Sequence, residues 1–117
     1  QDRTLMRTRE YGATLETLQW FVAEVLLFTE RNSQLLCAGA GENGPVGSLA
    51  HPAHVWWRQT LRGLIMQINP ALDADYLADA IFVLLDVHNV YFLRTDRGYS
   101  LEHITANMSQ MIERLTA

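Results

Sequence analysis

Cysteine is almost absent from this chain of 117 residues, in which Cys37 is the only one. A single thiol cannot form a disulfide within the chain, so a secreted fold held together by disulfides is excluded. So little cysteine is typical of proteins in a reducing compartment. We therefore expect a cytoplasmic protein.

Long hydrophobic runs are also missing. The longest nearly unbroken apolar stretch, residues 80–93, is interrupted by Asp86, His88 and Asn89. It falls short of the ~18 uninterrupted apolar residues that a membrane-spanning helix needs. No signal peptide is visible at the amino end. The sequence therefore predicts neither a membrane span nor secretion.

Clustered positive charge is scarce as well. The 9 basic residues are all arginines spread along the chain, and the net charge is -4 at pH 7. Surfaces that bind nucleic acids need clustered Lys and Arg to displace the counterions of the phosphates. The only cluster is Arg3, Arg7 and Arg9, which is typical of a solvated, frayed chain end. DNA binding is not expected of this chain by itself.

Proline and glycine divide the chain at three places, which are residues 39–47, 69–70 and 96–98. The long segments between them repeat apolar residues with a helical period, and no alternating strand pattern or internal repeat occurs. With 49% hydrophobic residues, the chain has enough apolar surface for one core. The predicted fold class is all-α, with about five helices.

The predicted helices are residues 14–31, 33–38, 52–68, 73–94 and 101–115. Pro52 suits the first position of a helix, and Asp73 and Ser100 suit N-caps. Gly98 is expected to end the fourth helix. In the first helix only Glu24 is polar between Trp20 and Phe28, which predicts burial over most of the circumference.

The fourth and fifth predicted helices arrange their apolar residues differently. The fourth is apolar on all sides, and a chain of this size has little room to enclose such a helix. The fifth has one apolar stripe. We expect a homodimer in which these two helices form half of a four-helix bundle; the alternative is a central helix surrounded by the other four. The predicted interface residues are Val83, Val87, Val90, Ile104, Met108, Met111 and Ile112.

Four segments carry a family resemblance. Residues 14–21 open a helix, 30–36 lie at a helix break, 73–80 followed by 84–86 belong to the long helix, and 98–102 open the last one. In this order the chain resembles the carboxy-terminal ligand-binding and dimerisation domain of TetR-family transcriptional repressors. The resemblance implies an effector-binding and dimerisation domain over residues 13–117, with 1–12 as the end of a connecting helix or a frayed segment. The family's helix-turn-helix motif is not found here, so the resemblance implies DNA binding only through a missing amino-terminal domain of a parent protein.

Polar residues within apolar helix surfaces predict a site for a mostly apolar or aromatic small molecule. A buried charge must find a partner, reach water or line a cavity. A ligand held by Asp86 and Asn89 is one interpretation; the other is that Asp86 pairs with Arg58 or Arg62, or contacts the partner subunit. The candidate ligand-binding residues are Trp20, Glu24, Phe28, Trp57, Arg62, Asp86, Asn89 and Phe92.

Catalytic and metal-binding motifs are weak. His51 and His54 are three residues apart, but loop or cap histidines explain this pattern better than a metal site. Cys37, His88 and Asp86 have the residue types of a nucleophile, a base and an orienting acid, and nothing else supports that assignment. We expect no enzyme activity, no cofactor and no metal. The alternatives to a sensor are a dimerisation or scaffold domain with a filled core, and a small haem- or metal-binding protein that uses His88.

Overall fold

The computed structural model describes residues 2–32 and 52–117, with side chains from residues 14 and 54 onward in the two ranges. These residues form helices and no strands, which confirms the all-α prediction. The five helices are α1 (Asp2–Arg31), α2 (Pro52–Ile68), α3 (Ala74–Leu85), α4 (Val87–Thr95) and α5 (Leu101–Thr116). The predicted helix at 33–38 and the glycine-rich stretch at 39–47 lie outside the described residues.

Helix α1 begins at Asp2 rather than at residue 14, and its burial differs from the prediction. Leu18, Val22 and Leu26 repeat every four residues and are fully buried. Glu24 and the large side chains Trp20 and Phe28 are exposed. The expectation of burial around most of the helix is therefore wrong, because the other described helices contact α1 along one wide face.

Helix α2 has the predicted bounds, from Pro52 to Ile68. Leu61, Ile65 and Ile68 are buried on the face that the spacing predicted, while Trp57 and Leu64 pack against the core and stay partly exposed. The ring of Phe21 on α1 meets the edge of Trp56 at 6.4 Å. Helix α2 therefore packs on both α1 and α3.

The long fourth helix predicted at 73–94 is in fact two helices bent by 46°. Asp73 caps the first as predicted, since its carboxylate accepts a hydrogen bond from Tyr76 N at 3.1 Å. Asp86 then leaves the helical conformation, with ψ 143°, and its side chain accepts from His88 N. An aspartate side chain can cap a new helix in this way. The carboxylate then competes with backbone carbonyl groups for the N–H groups that would continue α3, and this explains the break at Asp86.

Helix α5 begins where the sequence predicted. Gly98 has a φ of 72°, a left-handed conformation that glycine adopts without strain, and Ser100 Oγ accepts from His103 N at 3.0 Å. Gln19 of α1 donates to Ser109 O at 3.1 Å. Arg94 bridges Glu30 and Tyr99 O near the other end of α1. Helices α1 and α5 are therefore antiparallel neighbours.

The predicted dimer interface is largely part of the protomer's own core. The apolar stripe of α5 packs on α1, so it does not need a partner subunit for its burial. Val83 stays exposed and Met111 partly exposed. The predicted interface residues that are instead buried within the protomer are Val87, Val90, Ile104, Met108 and Ile112.

Helix α3 is covered on one side only, so the alternative of a fully enclosed central helix is also wrong. Tyr76, Ala80, Val83 and Leu84 repeat at the spacing of one helical face, and all four are exposed. We call these four residues the outer strip. Among the described residues no single helix is long and apolar enough to cross a membrane; only α3 and α4 taken together reach that composition, across their bend.

Candidate functional site

Asp86 is the buried carboxylate on which the predicted ligand site depends. Its side chain is 3% exposed, and Oδ2 accepts from His88 N at 2.9 Å and lies 3.0 Å from His88 Nδ1. These contacts join the end of α3 to the first turn of α4. Asp86 therefore has a structural role at the bend, and its local partner is His88.

The predicted ion pair between Asp86 and an arginine of α2 is wrong. Arg58 Nε donates to Asp79 at 2.7 Å, and Arg62 Nε donates to Asp75 at the same distance. A second nitrogen of Arg58 reaches Asp75 at 3.2 Å. Both arginines are thus engaged by aspartates at the start of α3, one turn or more before the bend.

This network shifts the pKa values of Asp75 and Arg58. Hydrogen bonds from Arg62 and then Arg58 hold the pKa of Asp75 below its ordinary value. The hydrogen bond to Asp79 raises the pKa of Arg58. Because Asp75 is largely exposed, solvent screens these attractions, and the network contributes modestly to stability.

Aromatic rings surround Trp57 in the space between α1, α2 and α3. Phe28 meets it edge-on at 5.3 Å, and the His54 ring lies 5.0 Å from Trp57 and 5.3 Å from Phe82. Edge-to-face rings at such distances attract each other. We call Phe28, His54, Trp57 and Phe82 the aromatic cluster.

A small inner cavity lies beside this cluster. Its volume is about 10 Å³, room for about one water molecule, whereas drug-sized ligands occupy ~300 Å³ or more. The inner cavity is lined by Val25, Thr29, His54, Trp57, Phe82, Leu85, Asp86 and Val87. In this conformation it does not accept a ligand larger than water.

Three of the predicted ligand-binding residues come together at this place: Asp86 and Trp57 line the inner cavity, and Phe28 contacts Trp57. The structure does not bring the other predicted residues to them. Trp20 and Glu24 are exposed on α1, and Arg62 is bound to Asp75.

Asn89 and Phe92 of α4 also lie away from the inner cavity. Asn89 Nδ2 donates to Leu84 O at 2.8 Å, and the Arg97 guanidinium lies 5.1 Å from the centre of the Phe92 ring. The bend at Asp86 is the reason, because it turns α4 relative to α3. Positions that share a face on one straight helix therefore do not share one here.

A larger depression, the outer groove, runs between the α3–α4 pair and α5. Its volume is about 280 Å³. It is lined by Leu84, Asn89, Leu93, Tyr99, His103, Ile104, Asn107, Met108 and Met111. At one end Asn69 Nδ2 donates to Ala117 O at 3.3 Å, and at the other Arg94 Nη1 donates to Tyr99 O at 2.9 Å. These contacts tie the end of α5 to the residues before α3, and the end of α4 to the residues before α5.

Some polar groups of the outer groove are engaged within the protomer. Asn89 bonds Leu84 O, and Asn107 Nδ2 donates to His103 O at 2.8 Å. The rings of Tyr99 and His103 lie 4.9 Å apart. The apolar part of the lining is Leu84, Leu93, Ile104, Met108 and Met111, of which Ile104 and Met108 are largely buried in the protomer, and the groove adjoins the outer strip of α3.

Sequence reasoning missed most of this exposed apolar surface. It selected Val83 and Met111 but not Tyr76, Leu84 or Leu115, which are also exposed. The signal was present: the outer strip repeats at one helical spacing, and Leu115 lies four residues after Met111. What obscured it was the assumption that the stripe of α5 faces outward.

Within the described ranges no group of three or more His, Cys, Asp or Glu residues is arranged to hold a metal ion. His54 belongs to the aromatic cluster, and His51 and Cys37 lie outside the described residues. His88 contacts Asp86, as two members of the predicted nucleophile, base and acid combination. The described residues thus provide packing surfaces and a groove.

No family model, curated protein sequence or solved structure matches this chain.

Proposed function

We propose that this chain is the effector-sensing and dimerisation domain of a TetR-like transcriptional regulator, and that it associates as a two-fold homodimer through the outer groove. The observation that carries the proposal is the apolar outer groove next to the exposed outer strip. Soluble monomers seldom leave a large contiguous apolar patch uncovered. The resemblance of the sequence to TetR-family domains favours the last three helices for this role.

A second copy of the chain is the occupant that suits this surface. In a two-fold interface each patch meets its own copy, so the outer strip of one protomer can lie on the outer groove of the other. Leu84 belongs to both the strip and the groove, which makes the two surfaces continuous. The charged residues Asp75 and Asp79 are turned toward α2 and leave the strip uncharged.

The size of the surface sets what a dimer would have to cover. At 1.5 Å per residue α5 is about 24 Å long, and a face two helices wide covers roughly 500 Å² in projection. The accessible area of a ridged surface exceeds its projection. A standard stable interface buries ~800 Å² per partner, so a dimer would have to cover both the outer groove and the outer strip.

Sensing would act through the bend at Asp86. The α3–α4 pair lines the inner cavity on one side and the outer groove on another. A ligand that widens the inner cavity would have to move these helices, and would then favour one arrangement of the dimer over another. In the parent protein, that arrangement would set the separation of two DNA-binding domains.

Light scattering tests the dimer directly. We expect the chain at micromolar concentration to have about twice the 13.3 kDa mass of one copy. Val83→Asp should reduce the mass to that of a monomer, because it places a charge in the apolar interface. Val55→Asp on α2 is the matched control, since Val55 and Val83 are both 42% exposed.

Two results would contradict the proposal. One is a wild-type mass of one copy, and the other is the same mass for the Val83 and Val55 variants. Circular dichroism of both variants checks that they are folded. A monomeric Val83→Asp beside a dimeric Val55→Asp supports an interface at the outer groove.

A dimerisation domain with a filled core is the second candidate, and the small volume of the inner cavity favours it. Such a domain would form the same dimer but would bind no effector. Titration with apolar and aromatic ligands, followed by the melting temperature, separates the two. Stabilisation by such a ligand supports a sensor, and its absence across the panel supports the filled core.

A further inference from the structure

One side chain in the lining of the outer groove can change its charge near neutral pH. The described residues that line the groove include His103 but no Asp, Glu, Lys or Arg. Histidine is the side chain whose charge ordinarily changes between pH 5 and pH 8. Tyr99, the other titratable residue of the lining, belongs to a type that stays neutral over this range. The charge of the groove lining near neutral pH therefore depends on His103.

His103 lies in the first turn of α5, where Ser100 Oγ accepts from its backbone N–H at 3.0 Å. Asn107 Nδ2 donates to His103 O at 2.8 Å and lies 3.4 Å from His103 Nε2. An amide nitrogen can only donate, so this contact suits a neutral imidazole whose Nε2 accepts. A protonated ring would turn a second N–H group toward the amide.

None of the groups that face His103 can balance a positive charge on its ring. The α3–α4 pair contributes lining residues that do not titrate, which are Leu84, Asn89 and Leu93. On α5 itself, Glu102 is exposed next to His103 but does not line the groove. The ion pairs among the described residues do not include His103. In the free protomer His103 is exposed, so water can solvate its charge.

Association would change the surroundings of His103. In the proposed dimer the outer strip of one protomer covers the outer groove of the other, and this strip contains no charged residue. A protonated His103 beneath it would lose water without gaining a partner of opposite charge, which is unfavourable. A neutral imidazole can be covered at lower cost. The dimer and the protonated ring therefore oppose each other.

We propose that protonation of His103 dissociates the dimer, so that the chain associates at pH 8 and separates as the pH falls toward 6. This inference names a regulation of the proposed dimer interface and rests on that interface. Each protomer contributes one His103, so two charges oppose association in every dimer.

The general effect of charge has the opposite direction, which makes the test specific. The chain has a net charge of -4 at pH 7 and a pI of about 5.4, so two copies repel each other less as the pH falls. A dimer without a titrating group in its interface should therefore stay unchanged or become tighter between pH 8 and pH 6. Weakening over this range requires a group that must lose a proton to be covered.

Sedimentation equilibrium of the full chain at pH 8 and pH 6, at one ionic strength, measures the dissociation constant of the dimer. We expect this constant to be about tenfold higher at pH 6, because two histidines gain charge over this range. Circular dichroism at both pH values checks that the chain stays folded.

Two substitutions of the exposed His103 fix its charge in opposite ways. His103→Gln is neutral throughout and should give the same dissociation constant at pH 8 and pH 6. His103→Lys is positive throughout and should weaken the dimer at both pH values. His88→Gln is the matched control, since His88 contacts Asp86 and does not line the outer groove. It should keep the pH dependence of the wild type.

The outcomes separate the regulation from the dimer itself. A wild-type dimer that is equally tight or tighter at pH 6 would overturn the inference and leave the dimer in place. A wild-type monomer at pH 8 would overturn both. A pH dependence that persists in His103→Gln, or that is lost in His88→Gln, would also overturn the assignment to His103.

Discussion

The two sides of α3 are built differently. On the side of α2, Arg58 and Arg62 bind Asp75 and Asp79, and Phe82 is buried in the aromatic cluster. On the side of α5, Leu84 and Val83 are exposed beside the outer groove. The first side has both polar and apolar partners within the chain, whereas the second has apolar side chains without a full cover. We call the side that faces α2 the closed side and the side that faces α5 the open side. The closed side contributes to the stability of the fold, and the open side is the one available for association.

The largest effect expected from this comparison is the loss of Phe82. Phe82→Ala removes a buried ring from the closed side and should lower the free energy of unfolding by about 3–5 kcal/mol. Leu84→Ala on the open side should lower it by about 1 kcal/mol or less when measured on dilute monomer, because less buried area is lost. Urea denaturation followed by circular dichroism measures both. Equal losses for the two variants would contradict the distinction between the sides.

Asp86 lies at the bend between α3 and α4. Substitution of Asp86 should lower the free energy of unfolding by less than Phe82→Ala does and by more than the loss of an ion pair does. Asp86→Ala removes the cap of α4 and the contact to His88, so we expect a loss of about 1–2 kcal/mol in unfolding free energy. Asp86→Asn retains a capping oxygen and should lose less. The measurement is the same urea titration. A loss for alanine well above the range expected for a cap would show that Asp86 has a partner of opposite charge after all.

Breaking an ion pair on the closed side should have the smallest effect on stability. Asp75 has a pKa below its unfolded value of 3.8, so its contribution to stability is present above pH 3.8 and is lost as the pH falls through the folded pKa. Asp75→Asn should therefore lower the melting temperature slightly at pH 7. The difference from the wild type should shrink as the pH falls below 3.8. A difference that stays constant from pH 7 to pH 2 would mean that the charge of Asp75 does not stabilise the fold.

Much of the local structure could be predicted because each signal acts within a few residues. Pro52 at a helix start, Asp73 and Ser100 as caps, and Gly98 at a helix end all depend on backbone groups next to them in the chain. The core face of α2 followed from spacing alone, as Leu61, Ile65 and Ile68 show. These features confirm the all-α prediction.

The candidate site was less accessible to sequence reasoning, as Asp86 illustrates. Its type and its apolar surroundings predicted either a ligand or an arginine partner, and its actual contact is the next turn of the chain. Arg58 and Arg62 were already bound about two to three helical turns earlier, by Asp79 and Asp75, a fact that depends on how α2 lies across α3. The spacing of residues along one helix carries no information about such crossings.

The amino-acid sequence by itself determined the helices, their caps and which residues are apolar, because these properties arise from neighbouring residues and from a fixed helical period. Only the tertiary structure decided which apolar residues are covered within the chain. Ile104, Met108 and Ile112 are buried because α5 lies on α1, while the outer strip stays exposed because no described helix packs over it. The ion pair between Glu30 and Arg94 was decided in the same way, since the two residues are distant in sequence and adjacent in the fold.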